Sequence, residues 1–274
     1  MLGAPNNQVN FDNVRLRSTN ITTKPAESYA YDANGNRLTS SWVSTSADGT
    51  HNRQQSDGTH NFTYDNEGNR ISRTQISNGY FTQYVWDYRN RLTQVVERSS
   101  AASATPLKNV QFYYDAFDRR IAKTVDYNPA ELPNPRIDLA EYYVYNGANV
   151  VFVLQDVDGD SGPAETRLAR RILHGDAVDR VLAEEVYENN TGPRIFAMTP
   201  SSTPATPIWP IADHLGSVRD VLDGSGVVRT RSRYDSYGNR TGTWTRHSAG
   251  TVLPPLNAAR VDSFYAYTGR EFDR

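Results

Sequence analysis

The sequence has no cysteine, only three lysines (Lys24, Lys108, Lys123) and no long apolar run. Without cysteine there are no disulfides, thiolate-ligated zinc, iron–sulfur clusters or cysteine nucleophiles. The longest apolar stretch, Val150-Val151-Phe152-Val153-Leu154, falls far short of the ~20 residues a membrane-spanning helix needs. Residues Met1 to Asn7 lack a charged start and an apolar stretch, so no signal peptide is read there. The chain is therefore expected either to stay inside the cell or to belong to a longer secreted or cell-surface polypeptide. A basic surplus is also missing. Lys and Arg number 29 against 31 Asp and Glu, for a net charge of -2, which argues against nucleic acid as the main partner. The hydrophobic share is 37% and the mean hydropathy -0.68, lean for 274 residues.

Aromatic residues are plentiful: 17 Tyr, 9 Phe and 4 Trp, each able to bury a large area. With so few lysines the cations are almost all arginine. Arginine lies flat on tyrosine faces, so Arg–Tyr packing is expected, with genome base composition as the competing cause.

The strongest signal is self-similarity. Tyr31-Asp-Ala-Asn-Gly-Asn-Arg-Leu38 recurs as Tyr64-Asp-Asn-Glu-Gly-Asn-Arg-Ile71, as Tyr114-Asp-Ala-Phe-Asp-Arg-Arg-Ile121 and as Tyr234-Asp-Ser-Tyr-Gly-Asn-Arg-Thr241. Trp86-Asp-Tyr-Arg-Asn-Arg-Leu92 is one residue shorter, and Tyr145-Asn-Gly147 and Tyr267-Thr-Gly-Arg270 are partial copies. The starts at 31, 64, 86 and 114 are separated by 33, 22 and 28 residues, a loose period that suits hairpins with variable outer loops.

Each copy has a physical reading. Aromatics two apart precede the turn (Tyr29/Tyr31, Phe62/Tyr64, Tyr84/Trp86, Phe112/Tyr114, Tyr143/Tyr145, Tyr265/Tyr267), which puts both rings on one face of a strand. Asp32, Asp65, Asp87, Asp115 and Asp235 end the strands by bonding turn N–H groups. Gly35, Gly68 and Gly238 sit where the chain reverses and call for positive φ, with Asn90 and Asp118 near that slot in the divergent copies. The fold class expected is all-β: an antiparallel meander of hairpins, forming a curved strip or a partial shell or barrel. A short helix competes only over Val178 to Tyr187.

This repeat resembles the RHS, or YD-repeat, family. The resemblance rests on the Tyr-Asp copies and on Ile211-Ala-Asp-His-Leu-Gly-Ser-Val-Arg219 followed by Tyr267-Thr-Gly-Arg-Glu-Phe-Asp273, and it covers about residues 29–274. It implies a β-strip wound into a hollow shell. Such a shell encloses a toxin segment of the same polypeptide in bacteria and forms part of the teneurin adhesion ectodomain in animals. The expected partners are thus the rest of a larger polypeptide or its enclosed C-terminal toxin, with self-association and glycan binding as further possibilities. The family's aspartate self-cleavage motif, toxin domain and delivery domain are absent, and the repeats are fewer. A fragment or short relative of a shell is expected. Residues 1–28 form a separate N-terminal segment in this reading. Val9-Asn-Phe-Asp-Asn-Val-Arg-Leu16 there resembles the closing strand of an upstream β-sandwich, or is an ordinary edge strand.

Loops are expected where proline gathers, at Tyr127–Arg136, Thr191–Pro210 and Gly242–Pro255, with a small polar loop at Ser99–Thr105. Three stretches invite chemistry. Gly159-Asp-Ser-Gly-Pro163 resembles a serine-protease nucleophile segment, but no histidine (His51, His60, His174, His214, His247) stands in a matching context. Asp156, Asp158 and Asp160 alternate as a calcium loop begins, but Ser161 and Arg167 stand where such a loop wants Gly and Glu. A solvated acidic turn is the favoured reading, with Glu165 an extra oxygen for a calcium site of other geometry. Asp213-His214 suggests proton transfer, against a packed, hydrogen-bonded histidine as the expected case. The repeat carboxylates recur once per hairpin, which speaks for a turn role. No catalytic residue and no cofactor is expected.

Overall fold

The structure is a computed structural model. It describes residues 28–31, 33, 37–40, 53–129, 137–157, 166–176, 180–187, 192–193, 204–246, 252–253 and 263–269. Several positions singled out in the sequence lie outside the described residues: Asp32, Gly35, Asp158, Asp160, Ser161, Glu165, His51, His247 and the 9–16 stretch.

The chain divides into two compact units, residues 1–58 and 59–274, where the repeat pattern alone drew a boundary after residue 28. In the first unit β1 (Tyr29–Tyr31) pairs antiparallel with β2 (Arg37–Ser40). In the second, fifteen strands follow one another in one antiparallel sheet: β3 (His60–Tyr64), β4 (Arg70–Gln75), β5 (Phe81–Trp86), β6 (Leu92–Arg98), β7 (Pro106–Tyr114), β8 (Arg120–Asp126), β9 (Leu139–Asn146), β10 (Asn149–Asp156), β11 (Arg167–His174), β12 (Val181–Val186), β13 (Thr206–Ala212), β14 (Val218–Asp223), β15 (Val228–Tyr234), β16 (Arg240–Arg246) and β17 (Val252–Leu253). Each strand pairs with its sequence neighbours, and β3 and β17 close the order without meeting. The sheet is an open meander strip rather than a barrel.

No α-helix occurs among the described residues. The stretch where a helix competed holds β12, because Val181–Val186 pairs on both sides, with β11 and β13. Two proline-marked loops are shorter than expected. Pro207 and Pro210 lie inside β13, opposite Glu185 and Val221, where each forgoes a backbone donor. Gly242 to Arg246 lies in β16.

Register fixes two faces. Paired residues share a face, so the pairs Thr82↔Glu97, Val95↔Val110, Phe112↔Lys123, Val153↔Tyr143, Ile172↔Glu184 and Glu184↔Ile208 trace one side across the strip. Phe62, Tyr64, Tyr84, Trp86, Phe112, Tyr114, Tyr143, Tyr145 and Tyr234 all fall on this aromatic face. The buried core lies there too: Tyr143, Val150, Val153, Ile172, Val186, Ile208, Val218 and Val221. The opposite face is polar over β3–β8, where Thr63 bonds Ser72 at 2.5 Å and Gln94 donates to Asn109 at 2.8 Å. Over β9–β14 it turns apolar and open, with Tyr142, Val144, Leu173, Trp209 and Ile211 exposed.

The returning strand of most hairpins carries one extra residue just past the turn: Ile71, Thr93, Ile121, Val151, Arg219 and Thr241. A bulge of this kind bends the strand and sharpens its twist. The turns after β3, β5, β7, β9, β11, β13 and β15 lie at one rim, and the connections after β4, β6, β8, β10, β12 and β14, the short β14–β15 turn among them, lie at the other.

Candidate functional site

The repeated element is an aspartate-anchored turn. Asp87 donates its N–H to the Arg91 carbonyl (3.0 Å), and its own carbonyl accepts from Asn90 (3.0 Å). Its Oδ1 accepts from the Arg89 and Arg91 amides at 2.9 and 3.0 Å, while Oδ2 accepts from Arg91 Nε at 2.8 Å. Asp115 repeats this with the Phe117 and Arg119 amides and Arg119 Nε. Asp235 uses the Tyr237 and Asn239 amides and the Asn239 side chain. Asp65 uses the Asn69 amide and side chain. The third residue after the aspartate takes positive φ: Gly68 95°, Asn90 59°, Asp118 64° and Gly238 86°. Loaded with donors, the Asp87 and Asp115 carboxylates are acidified. Arg91's side chain holds Asp87 below the usual 3.8. For Asp115 partial desolvation pulls upward, but the Arg119 and Phe117 donors outweigh it and the pKa falls.

Two further turns have the same geometry. Asp213 Oδ1 accepts from the Leu215 and Ser217 amides, with Gly216 at φ 79°. Asp223 accepts from Ser225 and Val227, with Gly226 at φ 76°. The Asp-x-x-Gly spacing was visible in the sequence, but Ala212 and Leu222 replace the aromatic that marked the other copies. The Asp213 turn also settles its neighbour. Its Oδ2 pairs with Arg219 at 2.9 Å, and His214 is exposed at the tip. The packed histidine expected from the sequence is corrected: the carboxylate is spent on the turn, and the ring projects from it.

Successive hairpins are stitched by the aromatic that precedes each turn. Trp86 Nε1 donates to the Arg70 carbonyl (2.9 Å), Tyr114 to Leu92 (2.8 Å), Tyr145 to Arg120 (2.9 Å) and Tyr234 to Val218 (3.2 Å). Each acceptor is the first residue of an earlier returning strand, beside its bulge. Arginine completes the stitch. Arg91 lies over Tyr114 (4.9 Å) and reaches the Asp115 carbonyl and Asp118. Arg119 lies over Tyr145 (5.0 Å) and donates to the Gly147 carbonyl. Asn69 similarly donates to Asn90. Arginine is thus placed over rings and bonded to the neighbouring turn.

A second assembly lies on the aromatic face between β9 and β15. Residues 263–269 run over it and end in a 3-10 turn, Tyr267–Gly269. Their anchor is Glu184, whose side chain is fully buried. It accepts from Arg170 Nη1 (2.6 Å), from the Ser263 hydroxyl and from the Phe264 amide (3.0 Å). Rings follow: Phe264 on Tyr143 (6.1 Å), Tyr265 edge-on to His174 (5.8 Å) and Tyr267 on Tyr234 (5.4 Å). Backbone bonds tie Val218 N–H to the Ala266 carbonyl (2.9 Å) and Thr268 N–H to Ser217 Oγ (3.0 Å). Sequence reasoning paired Tyr265 with Tyr267 but missed Glu184 and Ser263, since single polar residues about 80 positions apart carry no local signal.

Among the described residues no cluster of three His, Asp or Glu is placed to hold a metal. Asp156, the first of the alternating aspartates, is buried, and its partners at 158 and 160 lie outside the described residues. Tyr31 is half exposed in the β1–β2 hairpin.

No protein-family model matches the chain. Over 255 residues it is 26% identical to the tRNA3(Ser)-specific nuclease WapA of Bacillus spizizenii, a match covering 89% of this chain and 8% of that protein. Among solved structures it resembles the crystal structure of TcdB2-TccC3-Cdc42, with TM-score 0.58 and 16% identity over 90% of this chain and 11% of that one. The crystal structure of TcdB2-TccC3 gives TM-score 0.50 and 18% identity over 90% and 11%. At these identities the likeness to the solved structures is one of fold.

Proposed function

We propose that this chain is a non-catalytic wall segment of an RHS/YD-type β-shell, belonging to a longer secreted or cell-surface polypeptide and enclosing or presenting a toxin or partner. The observation that carries this reading is the turn-to-turn stitching. The same aspartate anchor, ring-to-carbonyl bond and arginine clamp recur along the strip, which builds a wall by repetition, as catalysis does not. The fold likeness to the TcdB2-TccC3 structures supports it. So does the small share of the longer proteins that the chain spans, 8% of WapA and 11% of each solved chain. WapA is a tRNA3(Ser)-specific nuclease, and the 8% of it that this chain matches fits a polypeptide whose nuclease activity lies outside the matched segment. Among the described residues no helix is long and apolar enough to cross a membrane, which says nothing of a β-barrel. No cofactor enters this reading.

The test is protease protection in the full polypeptide that contains this chain. The segment following it should resist trypsin while the protein is native and become cleavable once the sheet is unfolded. Equal cleavage in both states would overturn enclosure.

A second reading, a glycan- or calcium-binding adhesion module, draws on Tyr88 and Phe117, exposed at 92% and 79% on adjacent turn tips of one rim. Rings so placed suit sugar stacking. Saturable binding on a glycan array, or a calcium-dependent rise in melting temperature, would favour it over the wall.

A further inference from the structure

The stitching between hairpins has one gap. Along the rim that carries the turns after β5 to β15, the ring position before each turn holds Trp86, Tyr114, Tyr145, His174, Ala212 and Tyr234. Five of these reach back to the preceding hairpin. Trp86, Tyr114, Tyr145 and Tyr234 each donate to a carbonyl there, and His174 Nε2 lies 2.8 Å from the Val150 carbonyl. In every case the acceptor stands immediately before the bulged residue of a returning strand. In β12 the bulged residue is Leu182, since Leu173 pairs with Ala183 and His174 with Val181. The matching acceptor is therefore the Val181 carbonyl. The matching donor position is Ala212, which has no ring and no side-chain donor. A cavity of about 550 Å³ opens at this point, lined by Arg180, Val181, Ala212, Gly216, Tyr265 and Thr268. The strands part beside it, because β12 and β13 pair only from Glu184↔Ile208 to Val186↔Thr206.

The arginine of the clamp is in place as well. Arg91 and Arg119 stand directly before Leu92 and Arg120, pair with the aspartate four residues back, and lie over Tyr114 and Tyr145. Arg180 stands directly before Val181, pairs with Asp176 at 2.9 Å, and borders the cavity. Acceptor and cation are both present, and only the ring is missing. We propose that this cavity is a binding site for a tyrosine side chain presented by a partner polypeptide, with its ring against Arg180 and its hydroxyl on the Val181 carbonyl. The ligand class follows from the filled counterparts, most of which are tyrosine. The site stands whether or not the strip belongs to a shell.

The test is saturation-transfer NMR on the full polypeptide containing this chain, with 4-methylphenol, the isolated tyrosine side chain, as the probe. Saturable binding is expected, together with slowed hydrogen exchange at 180–182 and 212–216. Toluene keeps the ring and loses the hydroxyl, and should bind about two- to tenfold more weakly. Arg180→Ala should weaken 4-methylphenol about two- to fivefold. Ala212→Tyr supplies the ring from within, and should abolish binding and raise the melting temperature. Arg180→Ala leaves the strands untouched, so it keeps the test readable if Ala212→Tyr folds poorly. N-acetyl-tyrosine methylamide, which carries a peptide group on each side, should bind at least as well as 4-methylphenol. Binding of 4-methylphenol without it would overturn the polypeptide partner and leave a small phenol as the ligand. Toluene binding equally well would overturn the role of the Val181 carbonyl. No saturable binding to the parent, or binding that neither variant changes, would overturn the site.

Discussion

Tyr267 lies directly over Gly238. A Cβ built on Gly238 would meet Tyr267 Cδ1 at 2.5 Å, inside contact distance, and the Tyr267 ring also packs on Tyr234. The glycine of one turn therefore serves two ends. It takes φ 86° as the turn requires, and it leaves room for the docked segment's ring. The sequence suggests the first role, and only the three-dimensional placement of a residue 29 positions away reveals the second.

Gly226 occupies the same slot of the Asp223 turn, at φ 76°, with open space where a Cβ would go. Gly226→Asn should be mild, because Asn90 already adopts this conformation in the Asp87 turn. Gly238→Asn should cost more, about 1–3 kcal/mol, since any Cβ displaces Tyr267. Thermal melts of the two variants, with Tyr fluorescence as a second probe, check this. Equal losses would remove the ring's part in the argument.

Glu184→Ala should be strongly damaging. It takes the carboxylate away from the buried Arg170 and removes the acceptor for the Ser263 hydroxyl and the Phe264 N–H. A loss of about 3–5 kcal/mol is expected for breaking a buried pair. Protection of the Phe264 amide in hydrogen exchange should fall at the same time. A variant as stable as the parent, with that amide still protected, would show that the segment is held by its rings and its bonds to Val218, Ser217 and Ser236 without Glu184.

The hairpins and their common aromatic face were legible because both depend on short-range periodicity. Aromatics two apart share a face whatever the partner strand does, and Asp followed by a left-handed residue specifies a turn locally. Three features were not legible. The bulges at Ile71, Thr93 and Ile121 arise from pairing register, which no single strand encodes. The Asp213 and Asp223 turns lacked the aromatic marker. Proline suggested a loop over Pro207 and Pro210, yet Ile208 between them is fully buried, and its packing with Val221 and Val186 outweighs two missing donors.

Acid should unfold the chain through its turns. Asp87, Asp115 and Asp223 have lowered pKa values in the fold: Asp87 through Arg91's side chain, and Asp115 and Asp223 through turn donors that outweigh partial desolvation. As pH falls, the unfolded chain takes up protons first. These carboxylates thus contribute full stability above the ordinary value of 3.8 and lose it as pH drops through their lowered folded values. Melting temperatures should hold near neutral pH and fall steeply once the pH is below about 4. The Asp87→Asn, Asp115→Asn double variant should start lower at neutral pH and show a shallower acid slope. An unchanged slope would mean that other groups drive the acid transition.

The ring-to-carbonyl bonds give the last prediction, because they separate a polar stitch from simple ring burial. Tyr114→Phe keeps the ring under Arg91 and removes only the hydroxyl that donates to the Leu92 carbonyl. Losing one such bond should cost about 0.5–1.5 kcal/mol. Tyr145→Phe should cost a similar amount at the Arg120 carbonyl. The two bonds join different hairpin pairs, β5–β6 to β7–β8 and β7–β8 to β9–β10, and they share no atom. The losses should therefore add within a few tenths of a kcal/mol in the double variant. Trp86→Phe goes further, removing both the Nε1 donor to Arg70 and part of the ring, and should exceed either tyrosine change. Chemical denaturation of the four variants provides the measurement. If both tyrosine changes were neutral while Trp86→Phe was costly, the stitch would be ring burial alone. Losses well beyond additivity in the double variant would instead make the hairpins one cooperative unit.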